Sequence, residues 1–112
     1  MGLDVRAKPA RLLLEMDSQK ASLKARVIGR VQGVGFRFFT ERVAEEMGVS
    51  GYVMNCTDGS VEVMAEGERN TLQELLWQLN QGPRGARVER VEETWGPHTG
   101  RFSGFAVRFF GG

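Results

Sequence analysis

The chain is short of everything that usually advertises a special environment. Its 112 residues include one cysteine, Cys56, so no intramolecular disulfide and no cysteine-rich metal site is open to it, and a reducing cytoplasm is expected. Fifteen basic residues against fourteen acidic ones leave a formal net charge of +1. That balance gives no electrostatic reason to expect nucleic acid or an anionic membrane as a partner. No apolar run approaches the ~20 residues of a membrane span. The N-terminal run Leu12–Leu13–Leu14 is too short for the core of a signal peptide. Position 6 is Arg6, which removes the Ser or Thr of a myristoylation site. A hydrophobic share of 41% is nevertheless enough to bury one core. These features predict a small cytoplasmic protein with no nucleic-acid or membrane partner, working as a monomer.

Two parts are expected: an N-terminal extension over 1–22, loosely docked or carrying a short helix around 10–16, and a folded domain over 23–112. Residues 23–31 alternate as a strand, with Leu23, Ala25, Val27 and Val31 on one side. From Phe36 the period changes: Phe36, Phe39, Val43 and Met47 form a helical stripe that Gly48 ends. Asp58-Gly59 marks a hairpin within 51–67. Leu72, Leu75, Leu76 and Leu79 give a second helix over 70–81, closed by Gly82-Pro83. Residues 86–95 and 104–110 alternate again. The order β-α-β-β-α-β-β is, apart from its last strand, the split βαβ pattern. It predicts an α+β fold, a ferredoxin-like βαββαβ sandwich with an antiparallel sheet of four to five strands and both helices packed on one face.

Against this plain background one stretch stands out, GRVQGVGFR at 29–37, with three glycines and an arginine, Arg37, closing it after Arg30 near its start. It is no P-loop, because no Lys-Ser/Thr pair follows, and no dinucleotide fingerprint, because position 38 is Phe38. A glycine-rich turn from strand to helix can still aim several N–H groups at one point, where the helix N-terminus adds its positive end. Arg37 then sits in the first helical turn, where a cation is disfavoured by roughly 0.3–1 kcal/mol. An anion beside it would resolve that conflict, and a guanidinium can hold a phosphate with two hydrogen bonds. A tight β-α connection with a solvated arginine explains the composition about as well.

The motifs break the tie. GRVQGVGFR, the G-x-V-x-N-x-x-D-G-x-V-E block from Gly51 to Glu62, the step from Gly82 to Val88 and the near-terminal GFAVRF resemble the acylphosphatase family over about residues 24–110. The resemblance implies hydrolysis of the carboxyl–phosphate anhydride of a small acyl phosphate to carboxylate and inorganic phosphate. It implies that Arg37 grips the phosphate, that Gln32, Gly33, Val34, Gly35 and Phe36 form the amide cradle, and that Asn55 positions the attacking water. The extension is longer than the usual start of that family. A two-residue turn at Asp58-Gly59 would pair Asn55 with Glu62 and turn Asn55 away from the core, with Tyr52, Met54 and Cys56 facing inward. Asparagine is depleted in strands, which favours a functional reading of Asn55.

Neither cofactor nor metal is expected: no carboxylate cluster suits Mg²⁺, Asp58 is explained by its turn, Cys56 as a buried thiol, and His98 as an exposed loop residue. With no base at the loop, a phosphate oxygen of the substrate would take the proton from water, without a phosphoenzyme. Two rivals are weaker. QGVGFRFF loosely resembles an RNA-recognition signature, but Gln32, Val34 and Arg37 break it and the stretch reads as helix. A regulatory binder of acyl or carbamoyl phosphate fits poorly with a short chain that holds both Arg37 and Asn55.

Overall fold

The computed structural model describes residues 19–109, so most of the expected extension lies outside the described residues. The first element is a long strand, β1 (Lys20–Arg30), followed by helix α1 (Phe36–Met47), a hairpin of β2 (Ser50–Asn55) and β3 (Val61–Glu68), helix α2 (Arg69–Gln81), and strands β4 (Arg87–Pro97) and β5 (Phe105–Arg108). β1 starts three residues earlier than the alternation predicts, because Lys20, Ala21 and Ser22 pair with Glu68, Gly67 and Glu66. No helix among the described residues is long and apolar enough to cross a membrane.

The strands form one sheet in the order β4-β1-β3-β2-β5. Its three antiparallel pairings, β4 with β1, β1 with β3 and β3 with β2, match the ferredoxin-like expectation, and α1 and α2 cover one face. The fifth strand departs from it: β5 runs parallel to β2, so the sheet is mixed. β1, β2 and β5 therefore point the same way, and their carboxyl ends gather at one end of the sheet.

Periodicity explains the core. Leu23, Ala25 and Val27 of β1 meet Val61, Val63 and Ala65 of β3, all fully buried. Leu72, Leu75 and Leu79 of α2 and Phe36, Val43 and Ala44 of α1 close over them. Each Leu, Val and Phe among them contributes about 1.5–3 kcal/mol of burial. α1 ends as its glycine predicts: the amides of Gly48 and Val49 bond back to the carbonyls of Glu45 and Ala44 in a Schellman arrangement.

The hairpin differs from expectation by one residue. Cys56 donates its N–H to the Ser60 carbonyl at 2.9 Å, leaving Thr57, Asp58 and Gly59 as a three-residue loop. Gly59 takes a positive φ of 94°, and Asp58 Oδ1 accepts from the amide and hydroxyl of Ser60 at 2.9 and 2.6 Å. Both bonds, with Arg26 nearby, hold the Asp58 carboxyl below its ordinary pKa. The extra residue moves the register, so Asn55 faces Val61, not Glu62, and Met54 faces Glu62. A slip of one exchanges the faces. Tyr52 and Met54 lie on the face without helices, while Asn55 follows Val53 onto the helix-covered side. Cys56 is buried as expected.

The uncovered face is crossed by the segment joining β4 to β5, which must travel from one sheet edge to the other. Glu66, buried on that face, holds it: the Thr99 amide and hydroxyl donate to Oε2 at 3.0 and 2.7 Å, and the Gly100 amide donates to Oε1 at 2.9 Å. His98 Nε2 lies 3.7 Å from the same carboxylate. Phe102 packs edge-on against Tyr52, whose hydroxyl donates to Glu62 at 2.8 Å. Burial and that bond push the Tyr52 pKa up to about 12.

Burial pushes the Glu66 carboxyl up, but the Thr99 hydroxyl and the Gly100 and Thr99 amides together hold it below its ordinary value. A pKa lowered on folding gives stability that is present above the unfolded value and lost as pH falls through the folded one. Urea midpoints measured from pH 7 down to pH 3 should therefore drop on acidification. Glu66→Gln should cost about 1–3 kcal/mol at pH 7 and flatten that acid limb. Equal acid limbs in the two proteins would show that the clasp carries no pH-dependent stability.

Candidate active site

The site is built where the ends of β1, β2 and β5 meet the start of α1. After β1 the chain turns through Val31 to Gly35, and this turn needs its glycines. Gly33 and Gly35 have φ of 77° and 78°, whereas no other type of residue among those described has positive φ. A Cβ at either would meet nothing within 4 Å, so backbone conformation rather than space demands glycine. With Gln32 and Val34 at negative φ, the sign alternates along the loop, the pattern that turns successive N–H groups toward one hollow.

Those amides are available. Among the described residues no main-chain acceptor takes the N–H of Gln32, Gly33, Val34 or Gly35. The first helical bond runs from the Phe39 amide to the Gly35 carbonyl at 3.0 Å, so the amides of Phe36, Arg37 and Phe38 have no partner within the helix. The positive end of the α1 dipole faces the same hollow. No acidic residue occupies the first turn of α1 to offset it.

Four side chains complete the arrangement. Phe36 turns its ring into the core, 2% exposed and edge-on to Phe39 at 5.8 Å, which anchors the loop to the hydrophobic interior. Gln32 Nε2 donates to the carbonyls of Cys56 and Ser60, both at 2.8 Å, pinning the loop to the neck of the hairpin. Its side chain is thus committed to the scaffold. Arg37 Nη1 donates to the Arg108 carbonyl at 3.3 Å, and its guanidinium carbon lies 5.0 Å from the Phe109 ring centroid. Asn55, half-buried at the end of β2, completes a cavity of about 200 Å³ with Val31, Gly33, Gly35, Phe36, Arg37 and Phe38.

Of the residues that the sequence singled out, Gly33, Gly35, Phe36, Arg37 and Asn55 line this one cavity; Gln32 and Val34 do not, the first being tied to the hairpin and the second packed against the core. The reason for Asn55's place is new: the register that the sequence implied would have turned it from the loop, and the three-residue hairpin turns it toward it. Sequence reasoning also missed Arg108 and Phe109 as the neighbours of Arg37, and Phe38 at the rim. The exposed Phe in FRFF, out of step with the helical stripe, was a usable signal for the last. A larger hollow of about 390 Å³ lies elsewhere, at Arg26, Asp58 and Glu89 to Glu92. Arg26 there is already paired with Asp58 at 3.0 Å and Glu62 at 3.6 Å, and Arg90 with Glu92 at 3.2 Å, so both arginines lining that hollow are committed.

Chemically, the 200 Å³ cavity offers main-chain donors, one cation and one amide, and no carboxylate, imidazole or thiol lines it. Such a set binds a small dianion and orients a neutral molecule beside it.

Comparison with known proteins bears on the same stretch of chain. A family model described as Acylphosphatase matches residues 23–107. The acylphosphatase of Thermus thermophilus is 54% identical over 85 residues, covering 76% of this chain and 96% of that protein. That of Salinibacter ruber is 49% identical over 86 residues, covering 77% and 90%. The crystal structure of acylphosphatase from Bacillus subtilis superposes with a TM-score of 0.76 at 33% identity, covering 79% of this chain and 98% of that one. The match runs from β1 into β5 and takes in the loop, the hairpin and both helices, so the chain belongs to the acylphosphatase family, hydrolases of acyl phosphates.

Proposed function

We propose that the loop Gln32–Phe36 and Arg37 hold the phosphoryl group of an acyl phosphate while Asn55 aligns the attacking water. The observation that carries this reading is one cavity bounded by positive-φ glycines, a helix N-terminus, Arg37 and Asn55. The acyl phosphate dianion enters with its phosphoryl oxygens on the loop amides and the guanidinium. Water held by the Asn55 amide attacks phosphorus, the P–O bond to the acyl oxygen breaks, and the carboxylate leaves with the bonding pair. The proton of the water passes to a phosphoryl oxygen, giving carboxylate and dihydrogen phosphate. A carboxylate is a good leaving group, so positioning and charge stabilisation suffice without an enzyme base.

The lining supports direct transfer to water, because it holds no residue able to carry a phosphoenzyme. It also supports activity without metal or cofactor, because it contains no carboxylate ligand for Mg²⁺. The lone buried thiol fits the cytoplasm.

Hydrolysis of benzoyl phosphate, followed by absorbance with a chelator present, tests the assignment. Arg37→Ala should lose about 10²- to 10³-fold in kcat/KM, and Asn55→Ala about 10²-fold, mostly in kcat. Wild-type activity that vanishes with chelator, or an unimpaired Arg37→Ala enzyme, would reject it. The scaffold has its own test. Gly35→Ala forces a left-handed alanine, costing about 1–2 kcal/mol, and should weaken inorganic phosphate binding. Gln32→Leu should lower kcat while circular dichroism shows an intact fold. Phosphate affinity unchanged in Gly35→Ala would show that the loop conformation is not the cradle.

A further inference from the structure

Three large hydrophobic side chains stand exposed among the described residues: Phe38 (60%), Trp77 (61%) and Phe109 (66%). Trp77 lies on α2, away from the cavity; the other two flank Arg37. Phe109 lies against the guanidinium. Phe38 lines the cavity beside Gly35, Arg37 and Asn55. The FRFF run already supplies the core through Phe36, and Phe39 packs against it. Folding therefore gains little from the Phe38 ring, and a large apolar side chain left in water at the mouth of a polar cavity calls for a partner.

The substrate has two unlike ends. Its phosphoryl end matches the amides, the guanidinium and the Asn55 amide. The acyl end points out of that polar hollow, toward the rim. Val31 and Phe36 also line the cavity but are 1% and 2% exposed. Phe38 is the lining residue that combines a large apolar face with access to solvent.

We propose that Phe38 is the platform for the acyl group, and that the enzyme favours acyl phosphates with an aromatic or bulky apolar acyl group over acetyl phosphate. This rests on the placement of the phosphoryl group in the loop. The ring touches a part of the substrate that changes little between ground and transition states, so it acts by uniform binding and is read in KM rather than kcat.

The experiment measures steady-state kinetics on benzoyl and acetyl phosphate for wild type, Phe38→Ala, Phe38→Tyr and Phe109→Ala. Phe38→Ala should raise KM for benzoyl phosphate about five- to tenfold, leave its kcat within about twofold, and hardly change either constant for acetyl phosphate. Phe38→Tyr should restore the low KM. Phe109→Ala, acting through Arg37, should affect both substrates alike. Equal losses on both substrates in Phe38→Ala, or no loss on either, would overturn the proposal. Calorimetry with benzoylphosphonate, acetylphosphonate and inorganic phosphate separates this proposal from the one it rests on. If inorganic phosphate binds wild type and Arg37→Ala equally, the placement of the phosphoryl group fails. If it binds wild type and Phe38→Ala equally while benzoylphosphonate loses its advantage over acetylphosphonate only in the variant, the platform stands even in a protein with no turnover. An advantage unchanged by Phe38→Ala sinks the platform alone.

Discussion

Everything at the site depends on one amide group. The two Nε2 hydrogens of Gln32 are both committed, one to the Cys56 carbonyl and one to the Ser60 carbonyl. These carbonyls flank the loop of the β2–β3 hairpin, immediately after Asn55. The bond pair therefore fixes the distance between the glycine turn and the strand end that carries the amide. Without it, only the packing of Val31, Val34 and Phe36 against the core would anchor the turn. A flexible loop whose amides must converge on one anion gains most from an anchor at its start, because preorganised donors need no rearrangement when charge develops.

The second constraint is strand direction. Three strands of one orientation place their carboxyl ends together, but β5 reaches its place only because the chain crosses the whole uncovered face. The Glu66 carboxylate makes that crossing affordable by accepting three hydrogen bonds from Thr99 and Gly100 in a buried setting. Burying a carboxylate is costly unless its oxygens are satisfied, and here each has at least one donor. The Gly51 amide, donating to the Gly104 carbonyl at 2.9 Å, then sets the start of β5 beside β2. A group far from the cavity thus decides whether the Arg108 carbonyl stands next to Arg37.

How much of this was legible follows the range of each interaction. Stripes such as Leu72, Leu75 and Leu79, and the loop glycines, are local, and both helices and the loop could be read within a residue of their bounds. Arg37 and Asn55 were legible as candidates through motif and chemistry, and the structure places both at one cavity. The face of Asn55 was not, because Asp-Gly fits both a two-residue turn and a three-residue turn with Gly59 last, and the choice reverses every side chain of β2. The parallel pairing of β5 depends on a path across the sheet that no periodicity encodes. Glu66 gave no signal, since an alternating Val-Glu-Val-Met-Ala-Glu strand reads as solvated on its polar side. Phe38 was visible as a residue out of phase, yet its meaning needed the cavity beside it.

The arginine in the first turn of a helix, odd in the sequence, becomes consistent in the structure. The cation is opposed by the helix dipole by roughly 0.3–1 kcal/mol. It is held by a carbonyl at 3.3 Å and a ring at 5.0 Å, both exposed contacts of modest strength. On the proposed reading a phosphoryl dianion outcompetes both: it would meet the guanidinium with charge-assisted bonds and would also satisfy the amides that the dipole leaves unpaired. The same positive end that repels Arg37 attracts the anion, so one bound group removes two unfavourable terms at once. A neutral ligand can remove neither. On that reading, discrimination for a dianion would arise from placing a cation where a helix disfavours it, tethered only by the Arg108 carbonyl and the Phe109 ring.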